Sequence, residues 1–230
     1  MPPRLPFRNR AHEVSRLEAF SDVVFGFALT LIVVSLEVPR TYDELMTAMR
    51  GFPAFALCFA VLIWIWHAHY TYFRRYGLHD DFTVWMNTFL LFLVLFYVYP
   101  LKFVFSSFAG HRGYGAHEAR VLFTIYGLGF AGIFSIYAVL YSHALKKRDE
   151  LALNAVEQHD TQTHVMLFAG NVGVGLTSIL LALLLPDNLL GIAGYIYFVT
   201  GIVSWYLGAS RGSQRRAVED AMERDATTTT

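Results

Sequence analysis

Along the 230 residues, apolar positions gather into six long runs separated by short polar segments. The runs extend roughly from Leu17 to Val38, Phe52 to Tyr72, Val84 to Phe105, Val121 to Tyr141, Val165 to Leu185 and Leu189 to Ala209. A helix rising about 1.5 Å per residue needs about 17–25 mostly apolar residues to cross about 30 Å of hydrocarbon, and each run has that length. Stretches such as Leu90 to Val98 do not alternate apolar with polar residues, so they do not read as strands of a membrane barrel. The pattern predicts an all-α polytopic membrane protein with six transmembrane helices: one domain over residues 1–210 and a charged tail over 211–230. From Arg211 to Asp225 the tail alternates charge sign and reads as a solvated helix, and the closing run of threonines reads as disordered.

The first run departs from the others because Ser21 and Asp22 lie inside it and Arg16 and Glu18 sit at its edge. A carboxylate at the bilayer centre costs about 2.5–3.5 kcal/mol or more, so such a group faces protein or water and has a partner. The uninterrupted stretch from Val23 to Leu36 is 14 residues, which as a helix is only about 21 Å long. This helix cannot cross lipid alone, which predicts that other helices surround it. At about 100° per residue, Phe27, Thr30, Leu31 and Val34 share one face. Asp22 lies about 140° away, on a stripe continued by Gly26, Leu29 and Val33. The Phe27 face is open to two readings, ordinary core packing or the lining of an axis shared between copies. Opposite chain directions bring His67 of the second run and Asn87 of the third to the same end as Arg16 and Asp22, where Asp22 could accept hydrogen bonds from them. His69 reads as one of the aromatic groups that collect at headgroup level.

Composition agrees with the pattern: 55% of residues are hydrophobic, 16% aromatic and only 16% charged. Eighteen basic residues balance eighteen acidic ones, which argues against a nucleic-acid partner. Their placement is uneven. Thirteen of the eighteen Lys and Arg fall in the amino-terminal arm, the second and fourth loops and the tail, which predicts that both termini are cytoplasmic. The start Met1-Pro2-Pro3-Arg4 does not read as a cleavable signal. Cys58 is the single cysteine, so no internal disulfide or thiolate metal framework is available. Gly127-Leu128-Gly129-Phe130-Ala131-Gly132 fits a dinucleotide fingerprint in letters, but no strand precedes it, and it reads as helix packing, as do Gly170, Gly173 and Gly175. His111 and His117 lack a third metal ligand. No nucleophile is paired with a base, so the chain does not read as an enzyme, and no cofactor or metal is expected.

The stretch Arg16-Leu17-Glu18-Ala19-Phe20-Ser21-Asp22 resembles the R-x-x-x-F-S-D signature of the transmembrane protein 175 family, atypical potassium channels of endolysosomes and prokaryotes. Thr30, Trp64-x-x-His67, Asn87 and the closing Pro100 follow in the family's order and spacing, so the resemblance covers residues 16 to 105. It implies a homotetramer in a prokaryotic cell membrane, with the first helix central and lining a pore for potassium and other monovalent cations. Phe27 would form the constriction and hydrophobic gate, Leu31 and Val34 the next apolar rings, and Thr30 the selectivity layer. Arg16, Phe20, Ser21, Asp22, Trp64, His67 and Asn87 would form the network holding the pore helices. Phe27 stands where the family usually has Ile or Leu, which implies a tighter opening. The T-V-G-Y-G filter of ordinary potassium channels is absent from the sequence, so modest selectivity is expected. Two alternatives stand beside this reading: a proton-coupled transporter using Asp22 and His67 as a relay, and a scaffold without transport.

Overall fold

The computed structural model describes residues 7–11, 13–34, 40–108 and 115–228. Helices α1 (Arg16–Val34), α2 (Tyr42–Arg50), α3 (Phe52–Tyr76), α4 (Asp81–Phe108), α5 (Ala116–Lys146), α6 (Ala155–Leu184), α7 (Ile192–Tyr195) and α8 (Val199–Thr228) follow one another, with short 3-10 turns on either side of α7. There is no strand among the described residues.

The helix starts are written locally. Ser15 and Glu18 form a reciprocal cap on α1, in which Glu18 N–H donates to Ser15 Oγ at 3.1 Å and Ser15 N–H to Glu18 Oε2 at 3.3 Å. Asn154 and Glu157 do the same for α6, at 2.8 and 3.1 Å. Pro53 occupies the first turn of α3, and Gly77 ends that helix in the left-handed region, φ 58°, where a glycine pays no steric penalty.

Five helical segments are long and apolar enough to cross a membrane: Phe55–Tyr76, Asp81–Pro100, Ala116–Lys146, Ala155–Leu184 and Asp187–Ala221. The first predicted run is a helix too, Arg16–Val34, and it carries Arg16, Glu18 and Asp22; its predicted continuation to Val38 lies outside the described residues. The sixth is not one regular helix. Its first part is broken into a 3-10 turn at Asp187–Leu189, the short α7 and a second 3-10 turn at Ile196–Phe198, where Pro186, Gly191 and Gly194 interrupt the pattern.

Helices α1, α3 and α4 pack against one another, while α5, α6 and α8 form a second group joined to the first mainly through α4 and α5. The shared core is aromatic: Tyr72, Tyr76, Tyr97, Phe134, Tyr137 and Tyr141 are fully buried. The Tyr137 hydroxyl donates to the Ile65 carbonyl at 2.6 Å, a polar tie between α5 and α3. At the α5–α6 crossing, a Cβ on Gly127 would lie 2.6 Å from Ile179 Cγ1 and one on Gly175 3.1 Å from the Gly127 carbonyl oxygen, so these glycines set the closeness of the two helices. Gly173 differs from the expectation, since nothing lies within 4 Å of its Cβ position.

The tail also differs from the expectation of a purely solvated segment. Helix α8 runs without a break into it and reaches Thr228, two residues into the threonine run. Arg215 Nε meets both Asp160 carboxylate oxygens, at 3.0 and 3.1 Å, and also pairs with Glu219, while Arg211 Nε donates to Thr163 Oγ1 at 3.2 Å. Charge alternation reads equally well as a docked face when the partner charges belong to another helix.

Candidate functional site

Three faces run along α1. Ser21, Phe25, Ala28 and Ile32, spaced i, i+4, i+7, i+11, are buried against α3 and α4. Phe20, Val23, Phe27, Thr30 and Leu31 occupy the opposite side and are uncovered, Phe27 at 64% and Leu31 at 42% exposure. Asp22 lies on the flank between them and is also exposed. The uncovered face is the predicted Phe27 face. Val34 ends the helix, and its side chain lies outside the described residues, as do His111 and the segment 35–39. Thr30 Oγ1 donates to the Gly26 carbonyl at 2.8 Å, so its one proton is used within the helix and its lone pairs are left for a donor or cation outside.

A buried polar chain fastens the covered face. Ser21 Oγ donates to the Leu17 carbonyl at 2.7 Å and accepts from Asn87 Nδ2 at 2.9 Å; Asn87 Oδ1 lies 2.8 Å from His69 Nε2. The donor directions follow from the network: once Asn87 Nδ2 donates to Ser21, its Oδ1 is an acceptor and His69 Nε2 carries the proton. The His69 ring is held between Phe25 and Phe73, with centroids 5.6 and 4.6 Å away. Each of the three helices contributes one polar group, so the chain fixes their relative rotation and height.

Four predicted members of the network lie elsewhere. His67 is exposed and faces Tyr70 at 6.3 Å, and the buried position belongs to His69. Trp64 packs on Phe134 at 4.9 Å, and it is Trp66 whose Nε1–H donates to Asp22 Oδ1 at 2.8 Å. The chain contains Trp-x-x-His twice, at 64 to 67 and at 66 to 69, and two residues on a helix are about 200° of rotation, so the two copies look in nearly opposite directions. Phe20 sits on the uncovered face in line with Phe27, one heptad away, rather than in the network. The Arg16 side chain is exposed and has no ion-pair partner among the described residues.

A second cluster pins the α3–α4 connection. Asp80 caps α4 through the Thr83 N–H at 2.8 Å and holds His143 Nε2 at 2.7 Å and Lys147 Nζ at 2.9 Å at the end of α5. Partial burial alone raises the Asp80 pKa, but the hydrogen bonds from His143, Thr83 and Lys147 outweigh it and hold the carboxyl well below the usual carboxylate range. Among the described residues no group of three His, Cys, Asp or Glu is placed to hold a metal ion.

The profile of the endosomal/lysosomal potassium channel TMEM175 matches residues 16–97, the part of the chain that holds α1, α3 and the polar network. A potassium channel of Marivirga tractuosa is 36% identical over 215 residues, 86% of this chain and 86% of that one. The chain belongs to the TMEM175 family. Among solved structures, that of the potassium channel MtTMEM175, a variant bound to a nanobody–MBP fusion, is similar with a TM-score of 0.78 and 32% identity, covering 92% of this chain and 100% of the other. The crystal structure of a lysosomal potassium-selective channel TMEM175 homolog from Chamaesiphon minutus shares the fold at a TM-score of 0.61 and 23% identity. TMEM175 membership and five apolar spans make this a multi-pass membrane protein of an ion-channel family, which is not an enzyme class.

Proposed function

We propose that the chain is the subunit of a potassium-permeable cation channel in which four copies bring α1 together around a common axis, with both termini cytoplasmic. The observation that carries this reading is the division of α1 into a face locked to α3 and α4 by Ser21, Asn87 and His69 and an opposite face left exposed among the described residues. Arg16 and Asp22 are exposed on the single chain and poorly suited to lipid, which favours further copies of α1 and an aqueous route beside them. Four Phe27 rings then form an apolar constriction that blocks ions by dewetting and conducts when a small rotation or dilation admits water. Leu31 and Val34 continue the apolar lining, and Thr30 adds a ring of acceptor oxygens. Selectivity arising from one constriction and one hydroxyl layer is modest. The names of the relatives support potassium as the permeant ion.

Reconstitution tests the reading. Phe27→Ala widens the constriction, so unitary potassium current rises and discrimination against sodium falls, moving the reversal potential away from the potassium equilibrium potential relative to the parent channel. Unchanged unitary current in Phe27→Ala removes Phe27 from the ion path. The proton-coupled alternative requires Asp22 and His67 to exchange a proton, yet Asp22 is engaged by Trp66 and His67 lies exposed beside Tyr70. Flux that stops when the proton gradient is collapsed would restore that alternative.

A further inference from the structure

Residues 7–11 run across the end of the bundle where α3 and α5 finish and α6 begins. The Arg10 and Ala11 N–H groups donate to the Arg74 carbonyl at 3.2 and 3.4 Å, which ties this arm to the last turn of α3. The arm passes directly over Gly77, where a Cβ would sit 3.5 Å from the Ala11 nitrogen. Phe7 stands edge-on to Tyr76 at 5.6 Å and carries the Arg75 guanidinium 4.7 Å from its ring centroid.

Both arginines of the arm converge on one carboxylate. The Glu157 side chain is 2% exposed. Arg8 gives it three hydrogen bonds, from the backbone N–H at 3.0 Å, Nε at 3.1 Å and Nη2 at 3.0 Å, and Arg10 Nη2 adds a fourth at 2.7 Å. The same guanidiniums reach the Ala152 carbonyl at 2.6 and 3.4 Å, and Arg10 Nε takes the Leu151 carbonyl at 2.8 Å. Ala152 is the one non-glycine residue with positive φ among the described residues, at 46°, a backbone that a Cβ disfavours. The arm therefore holds the α5–α6 turn in a shape that the local sequence does not prefer.

One turn further along α6, the helix is gripped from two other sides. Asp160 and Thr163 receive Arg215 and Arg211 of the tail helix, while Thr161 Oγ1 meets the Tyr76 hydroxyl at 2.8 Å and His164 Nε2 meets Arg75 Nη1 at 3.2 Å. Helix α1 itself packs on α3 and α4 rather than on α6 or α8, and only four residues separate Ala11 from Arg16, where α1 begins. Chain connectivity makes the arm a covalent route from the foot of α6 to α1, beside the packed route through α3.

We propose that Arg8, Arg10 and Glu157 form a strap that sets the resting position of α1, so that α6 and the tail helix bias pore opening from outside the ion path. This rests on the reading of α1 as the pore-lining helix. Glu157 is a positioning residue, acting through the arm. Coupling of this kind between two parts of a protein typically alters an equilibrium about 5–150-fold.

Single-channel recording of the full-length tetramer in planar bilayers separates gating from permeation. Glu157→Gln and Arg10→Gln each change open probability by about fivefold or more, in the same direction, with unitary current and reversal potential unchanged. The double variant matches Glu157→Gln instead of multiplying the two effects, because Arg10 Nη2 acts on the same carboxylate. Glu157→Asp, which keeps the charge, moves open probability less, and Arg215→Gln on the far side of α6 shifts it in the same direction. Should Glu157→Gln fail to elute as the parent oligomer, Arg8→Lys supplies the same readout, since it keeps the charge and loses the forked geometry. Unaltered open probability in a correctly assembled strap variant, or multiplying effects in the double variant, overturns the strap. Phe27→Ala recorded beside them distinguishes the two failures: if it leaves unitary current unchanged, the pore reading falls and the strap with it, and if it raises the current while strap variants gate normally, the strap alone falls.

Discussion

Replacing either of two histidines two residues apart gives opposite expectations. His69 is 1% exposed, and its Nε2 is the partner of Asn87 Oδ1 at 2.8 Å. Truncation to alanine leaves that oxygen buried without a donor, at about 1–3 kcal/mol. Removing the ring from between Phe25 and Phe73 adds a cavity term, and about 2–4 kcal/mol in total is expected. Ser21 keeps its bond to Leu17, so the loss does not spread along the whole chain of contacts. His67 is exposed and makes no hydrogen bond among the described residues, so its alanine variant should stay within about 0.5 kcal/mol of the parent. At roughly 2–4 °C per kcal/mol for a chain of this size, His69→Ala lowers the midpoint by about 4–16 °C and His67→Ala by at most about 2 °C. The assay is the survival of the purified oligomer in detergent after heating, read by size exclusion. Equal shifts, or a larger shift for His67→Ala, refute the assignment of the network to His69.

Further outcomes can be checked independently. Gly127→Ala places a methyl against Ile179 Cγ1 and the Gly175 backbone and destabilises the α5–α6 pair by about 1–3 kcal/mol. Gly173→Ala meets open space and is neutral or stabilising by up to about 1 kcal/mol, so thermal shifts of opposite sign or very unequal size are expected. Asp80 has a folded pKa below its unfolded one, so its contribution to stability is complete above about pH 4 and is lost as pH falls from there toward the folded value. Asp80→Asn should lower the midpoint at neutral pH and flatten its acid dependence relative to the parent; parallel parent and variant curves across pH 3–6 would count against the pin.

Much of the fold is legible because lipid leaves few options. A backbone without water must satisfy itself within a helix, so the six apolar runs predict helical segments, and Ser15, Gly77 and Asn154 mark three of their ends. Asp22 and Ser21 inside an apolar helix likewise announce that α1 needs partners. Periodicity separates the Phe27 face from the Asp22 flank, since both lie on one helix whose geometry is known. It does not say which of the two Trp-x-x-His repeats meets α1, because both spacings are identical and only the rotation of α3 distinguishes them. Arg16 is exposed and makes no ion pair with Asp22 among the described residues, where Asp22 accepts from Trp66 instead.

Local pattern and composition determined helix type, approximate boundaries, the polar character of α1 and the separation of its faces, since these depend on hydrogen bonding and rotation within one segment. Tertiary structure decided which groups meet: His69 rather than His67, Trp66 rather than Trp64, the tail arginines on Asp160, and the two arm arginines on Glu157. Those pairings join residues from 18 to 149 positions apart, and they exist only once the helices have adopted the rotations that close packing of their tyrosines and glycines permits.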